Sequence, residues 1–150
     1  MDQEKITGAI LAIFNGSDEH SWTKVQRAMA EKVLLDYASL SGSPATTLSS
    51  KQIIDTWKGF LPGFDKTHHQ LSNLQISQNE HHASVHCNGK ADHFIGAEVW
   101  TVEGTYDIEL SKIGGQWLVT QLKFNLSKQS GNTNLPADAA ARVKNESNKQ

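Results

Sequence analysis

The sequence predicts an α+β fold in which N-terminal helices pack in the concave face of a strongly curved, mainly antiparallel sheet. Three observations carry the prediction. Apolar residues recur at helical spacing in the first half of the chain, the period changes to two from residue 67 onward, and a Gly114-Gly115 pair separates the last two alternating runs.

Taken in order, Ile6, Ile10 and Ile13 stand four and three apart and predict a first amphipathic helix; Trp22, Val25 and Met29 predict a second. Asn15-Gly16-Ser17-Asp18 reads as the turn between them, with Ser21 available as a cap. Gly42-Ser43-Pro44 is a further break. Ser49 or Ser50 opens a third helix carrying Ile53, Ile54 and Trp57, and Leu61-Pro62-Gly63-Phe64 stops it. The strands follow. Residues 67–77 place His69, Leu71, Asn73 and Gln75 on one face, and His68 on the other. Residues 83–88 alternate Ala83, Val85 and Cys87 against polar neighbours, and runs at 93–102, 105–113 and 117–126 complete the sheet. Gly114-Gly115 forms the last hairpin because glycine tolerates positive φ at both central turn positions. A long sheet of this kind curls around its helices and leaves a cavity at one end.

The 150 residues suffice for one domain, expected at 1–127. Residues 128–150, rich in Ser, Asn, Lys and Ala with only Leu135 and Val143 as large apolar residues, predict a flexible polar tail with a short helical turn at 138–144. A net charge of −2 provides no basic footprint for nucleic acid or an anionic membrane surface. The acidic N-terminus and the short apolar run at 6–14 match neither a signal peptide nor a membrane span, so a cytoplasmic protein is expected. The lone Cys87 cannot form an internal disulfide, and as an inward residue it should be an inert thiol. His81-His82-x-x-x-His86 is the one histidine cluster. Adjacent histidines on an extended chain diverge and only Glu80 lies nearby, so no metal or other cofactor is expected.

Three stretches share a family resemblance. Asp18-Glu19-His20-Ser21-Trp22 is followed fifteen residues after Trp22 by Tyr37; Thr67-x-His69 continues to Asn73; and Gly115-Gln116-Trp117-Leu118-Val119 opens the last strand. Together they resemble the SnoaL-like branch of the nuclear transport factor 2-like superfamily, which includes polyketide cyclases and fungal scytalone dehydratases. The resemblance spans roughly residues 5–127 and implies a cone-shaped α+β barrel that dimerises through its sheet face. It also implies roles: Asp18 as a carboxylate orienting a histidine, Tyr37 as a phenol polarising a substrate carbonyl through water, His69 as acid/base, and a second histidine at or near His93. One departure stands out. Where the dehydratases have a second tyrosine just before the carboxylate, this sequence has Ser17, which leaves a two-tyrosine clamp incomplete.

These residue types suit proton abstraction next to a carbonyl. Imidazoles titrate near ~6.5 and exchange protons at cellular pH; a carboxylate fixes the tautomer, and a phenol donates to a developing enolate oxygen. The expected activity is therefore a cofactor-independent lyase, isomerase or cyclase acting on a small apolar carbonyl compound, with Asn73, Trp57 and Trp100 as ligand-binding residues. Each residue also has a plainer reading: His69 bonding a neighbour, Asp18 capping a helix or turn, Tyr37 and the tryptophans packing a core. On those readings the chain is a non-catalytic ligand-binding or dimerisation module of the same fold.

Overall fold

The computed structural model describes residues 2–148. Helix α1 (Asp2–Glu19) buries Ile6, Ile10 and Ile13 completely or nearly so, as their spacing requires. It runs straight through the expected turn at 15–18. The Ser17 hydroxyl donates to the Ile13 carbonyl at 2.7 Å, and bare Gly16 admits Val25, whose Cγ2 would lie 2.7 Å from a Cβ added there. The chain reverses one turn later, at His20 with φ 58°, where the Ser21 amide donates to the Gly16 carbonyl at 2.8 Å. Asp18 thereby sits on the last turn of α1.

The second helix is corrected as well. Helix α2 (Trp22–Arg27) is only six residues long, and Met29 begins strand β1 (Met29–Asp36). The four-residue α3 (Ala38–Ser41) and strand β2 (Thr46–Ser49) lead into α4 (Ser50–Lys58). Ser49 and Gln52 cap α4 reciprocally, satisfying two amides that the first helical turn would otherwise leave open. A 3₁₀ turn, Leu61–Gly63, precedes the long strands β3 (Lys66–Gln78), β4 (His82–Ile95), β5 (Glu98–Ile113) and β6 (Gln116–Gly131), and α5 (Leu135–Asn148) follows.

The six strands form one sheet in the order β2-β1-β6-β5-β4-β3. Neighbours are antiparallel except β1 and β6, which run parallel. The cone-shaped, strongly curved barrel expected from the sequence is not what forms. Closure requires the end strands to exchange ladder hydrogen bonds, yet β2 and β3 remain separate edges of an open sheet. Short β2 packs on α4, and β3 packs on α1, so each edge faces a helix instead of the other edge. The apolar face carries Val85, Cys87, Ile108, Leu110, Val119 and Leu122 into the core beneath α1.

The expected C-terminal tail is also corrected. Strand β6 continues to Gly131, and α5 docks on the 3₁₀ turn, burying Leu135 and Ala139 at 1% and 0% exposure. Gly63 makes the docking possible, since a Cβ there would fall 1.9 Å from the Ala139 carbonyl oxygen. Arg142 bridges to Asp65 at 3.0 Å. The end of the expected tail, residues 149–150, lies outside the described residues. No helix among the described residues is long and apolar enough to cross a membrane.

Candidate active site

A cavity of about 320 Å³ opens between the sheet and the segments 35–41 and 56–61. Its walls are mainly aromatic and aliphatic, with Phe14, Trp57, Phe60, Trp100 and Phe124 among them. His69, His93 and Tyr37 line it, and Asp18 stands directly behind His69.

The last turn of α1 meets β3 at Asp18. One carboxylate oxygen of Asp18 accepts from the Thr67 hydroxyl at 2.8 Å and lies 2.6 Å from His69 Nδ1; the other accepts the His69 backbone N–H at 2.7 Å. Both side chains are 14% exposed. Burial, the strongest single influence on this carboxyl, pushes its pKa up, but the His69 ring and amide and the Thr67 hydroxyl together outweigh it and hold the group below the ordinary carboxylate range. An ionised carboxylate only accepts, so Nδ1 of His69 carries the proton. In the neutral ring Nε2 is then an unprotonated acceptor.

His93 is constrained differently. It is 5% exposed, its Nδ1 lies 3.0 Å from the Trp100 carbonyl, and its ring packs against Trp100 and Phe64 at centroid separations of 4.4 and 4.9 Å. A carbonyl only accepts, so this Nδ1 is also protonated. Burial pushes the imidazole down to about 4, against the Trp100 bond, which favours the charged form. His93 is therefore neutral at neutral pH, with Nε2 as an acceptor. The two histidine rings meet edge to face at 5.9 Å.

Tyr37, at the junction of β1 and α3, and Tyr106 of β5 both line the cavity, and both rings pack on Phe124, at centroid separations of 5.9 and 4.9 Å. Burial raises the pKa of both phenols, so both keep their protons at neutral pH. Trp57 and Trp100 line the cavity. Asn73 does not: it is exposed, at φ 54°, where the β3–β4 register shifts between Ser72 and Gln75. The bulge breaks the alternation from which a shared face with His69 was expected.

Sequence reasoning assigned no role to Thr67 or Tyr106. Thr67 stands two residues before His69 on the same face, and Tyr106 alternates with Ile108 and Leu110 on the inward face of β5; that periodicity is the signal that points to both. On the other face, His82 and His86 pair with Glu109 and Asp107 at 2.8 and 2.6 Å. Among the described residues, no group of three or more His, Cys, Asp or Glu side chains is arranged to hold a metal ion.

Residues 1–123 match the family model of the SnoaL-like domain. Among solved structures, the chain is similar to the Kfla4162 protein from Kribbella flavida, with 20% identity, a TM-score of 0.82 and coverage of 95% of this chain and 97% of that one. It is similar to a candidate scytalone dehydratase from Novosphingobium aromaticivorans, with 18% identity, a TM-score of 0.75 and 87% coverage of each chain. It also resembles the hexachlorocyclohexane dehydrochlorinase LinA-type3 from Novosphingobium barchaimii, with 11% identity, a TM-score of 0.74 and coverage of 88% and 90%. Likeness at these identities establishes the fold. No curated protein sequence matches the chain.

Proposed function

The chain belongs to the SnoaL-like domain family, and from that premise we propose that it is a cofactor-independent lyase, isomerase or cyclase that moves a proton next to the carbonyl of a small apolar compound. The observation that carries this reading is the 2.6 Å contact between Asp18 and His69 Nδ1 at the cavity wall. It leaves Nε2 free to take a proton, and it sets a carboxylate where the imidazolium that forms is stabilised. The similarity to a candidate dehydratase and to a dehydrochlorinase, both proteins whose named reactions are eliminations, supports the same class.

In this reading His69 Nε2 removes the proton from the carbon beside the carbonyl, and Tyr37 donates to the oxygen on which enolate charge develops. In a dehydration, the enolate electrons return to form the C=C bond as the β-C–O bond breaks. The proton held by His69 passes to the departing hydroxyl, and water leaves. His69 is assigned as the base over His93 because burial without a carboxylate partner disfavours the charged form of His93. His93 Nε2 serves as an acceptor for a substrate hydroxyl, and Trp57 and Trp100 hold the apolar body of the ligand. Dimerisation through the outer sheet face and a cytoplasmic location belong to the same proposal; a single-copy mass by light scattering at micromolar concentration overturns the dimer.

The test is exchange of carbon-bound protons. A panel of enolisable and β-hydroxy ketones incubated in D₂O and followed by NMR should show deuterium entering beside the carbonyl, or alkene forming, with the wild type and not with His69→Ala. Equal rates for the two proteins would remove the assignment. Ligand-induced thermal stabilisation without exchange or product would make the protein a binding module instead.

A further inference from the structure

The two segments that wall the cavity over the sheet are held very differently. Residues 56–61 are anchored: α4 buries Ser50, Ile53 and Ile54, its first turn carries the reciprocal Ser49–Gln52 cap, and Leu61 is buried in the 3₁₀ turn on which α5 docks. Helix α3 gives Leu40 and Ser41 to the cavity lining, yet it has no buried residue of its own. It packs on β6 and leads into an exposed run, 42–47, that begins at Gly42 with φ 78°. Segments that bury so little surface are the first to open.

One side chain ties α3 across to the sheet. Strand β1 pairs with β6 as far as Asp36, opposite Lys123, and ends there. The Ser39 hydroxyl then takes over, donating to the Phe124 carbonyl at 2.7 Å and accepting the Leu126 N–H at 2.8 Å. A single oxygen thus closes two backbone groups that a further strand residue would otherwise have to satisfy. Among the described residues, the other side-chain hydrogen bonds of α3 are local: the Ala38 N–H to Asp36 at 3.1 Å, the Ser41 hydroxyl to the Tyr37 carbonyl at 3.0 Å, and the Ser43 N–H to Ser41 at 3.2 Å. Those bonds hold the segment's own shape. Ser39 holds it to β6, beside the cavity-lining ring of Phe124.

We propose that α3 is the entrance gate of the cavity and Ser39 its latch: releasing the two bonds of one hydroxyl lets residues 38–42 swing away from β6, which carries Leu40 and Ser41 out of the lining and opens a passage to His69. The energetics suit a gate. On opening, the Ser39 hydroxyl and both β6 backbone groups regain hydrogen bonds to water, so the latch is weak in net terms. Opening the opposite wall would instead strip Ile53, Ile54 and Leu61 from the core. The gate governs how a ligand enters and is independent of the chemistry that follows.

Entry is tested with iodoacetamide as the probe and a thiol introduced by Ala91→Cys, since Ala91 lines the cavity at 7% exposure. Peptide mass spectrometry separates its alkylation from that of Cys87. Adding Ser39→Ala should speed alkylation of the introduced thiol roughly 3- to 30-fold, the range for losing one or two neutral hydrogen bonds, and Ser39→Thr should keep it slow. Ser49→Ala, which removes the α4 cap, should leave the rate unchanged. Thermal melts verify that each variant folds. Wild type gives a reading that needs no variant: the Leu126 N–H, bonded to Ser39, should exchange with D₂O roughly tenfold or more ahead of amides in the middle of α4. Any of four results would overturn the proposal: a thiol alkylated as fast with Ser39 present as in urea-unfolded protein, no acceleration in Ser39→Ala, equal acceleration in Ser49→Ala, or a Leu126 amide that exchanges no faster than those of α4.

Discussion

Asp18 grips His69 twice, through the ring at 2.6 Å and through the backbone N–H at 2.7 Å, so one carboxylate sets both the tautomer and the position of the candidate base. Asp18→Asn keeps the shape and removes the charge. Its amide can donate to Nδ1 and so favour the tautomer with the proton on Nε2, the wrong one for a base. Proton exchange should fall by about 10²- to 10⁴-fold, and nitrogen chemical shifts of His69 should report the proton moving to Nε2. Unchanged shifts would show that the carboxylate does not set the tautomer. The sign of the pH effect on folding also follows. The Asp18 pKa is lowered from 3.8 in the folded state, so its contribution to stability is present above that value and is lost as pH falls through the folded pKa.

His93 acts in a different pH window. Its folded pKa of about 4 lies below the ordinary imidazole value of 6.5, so between the two the unfolded chain binds a proton that the folded chain refuses. Stability is therefore complete above pH 6.5 and declines toward pH 4, where the folded protein also begins to protonate. A full shift of this size corresponds to on the order of 3 kcal/mol. Urea titrations at a series of pH values should show this decline in wild type, and it should flatten in His93→Phe; an equal decline in both would assign it to other groups.

How much of this was legible in the sequence depends on how local the decisive contacts are. Ile6, Ile10 and Ile13 identify α1 because a helix buries residues on its own period, and Ala83, Val85 and Cys87 identify β4 in the same way. Strand β1 is different. Met29 falls at helical spacing after Trp22 and Val25, but its partner is Val119 on β6, and that long-range pairing overrides the local pattern. Leu135 looks too isolated to order a C-terminal segment until bare Gly63 offers it and Ala139 a surface. The open sheet edges are likewise set by which strands find partners, and no local pattern records this. At the site, periodicity turned His69 inward and family resemblance linked it to Asp18, 51 residues away. The bulge at Asn73 removed it from the cavity, and the meeting of Tyr106 and Tyr37 at one cavity wall depends on a sheet register that sequence alone does not reveal.

Cys87 gives a kinetic measure of how closed the core is. Its side chain is fully buried, and burial, aided by the charge of Asp107, pushes the thiol up to about 11. Only the thiolate alkylates readily. Iodoacetamide at pH 8 should leave native protein unmodified by mass spectrometry over a period in which urea-unfolded protein reacts completely. Rapid modification under native conditions would mean that the apolar face of β4 opens locally.

The packing of Gly63 on Ala139 couples the C-terminal helix to the cavity, because Leu61, in the same 3₁₀ turn, lines the cavity wall. Gly63→Ala places a methyl group where the Ala139 carbonyl lies, 1.9 Å away, and backbone on both sides leaves no flexible side chain to yield. Helix α5 must therefore shift or lift, exposing Leu135 and Ala139. The expected loss is about 2–4 kcal/mol, within the range for overpacking combined with lost burial, seen as a lower urea midpoint. Arg142→Ala removes only an exposed ion pair to Asp65 and should change stability by less than about 1 kcal/mol. The contrast isolates the cause: if Arg142→Ala were as damaging as Gly63→Ala, the helix would be held by charge, whereas a large effect at Gly63 alone shows that close backbone approach fastens α5 over the turn that shapes the cavity.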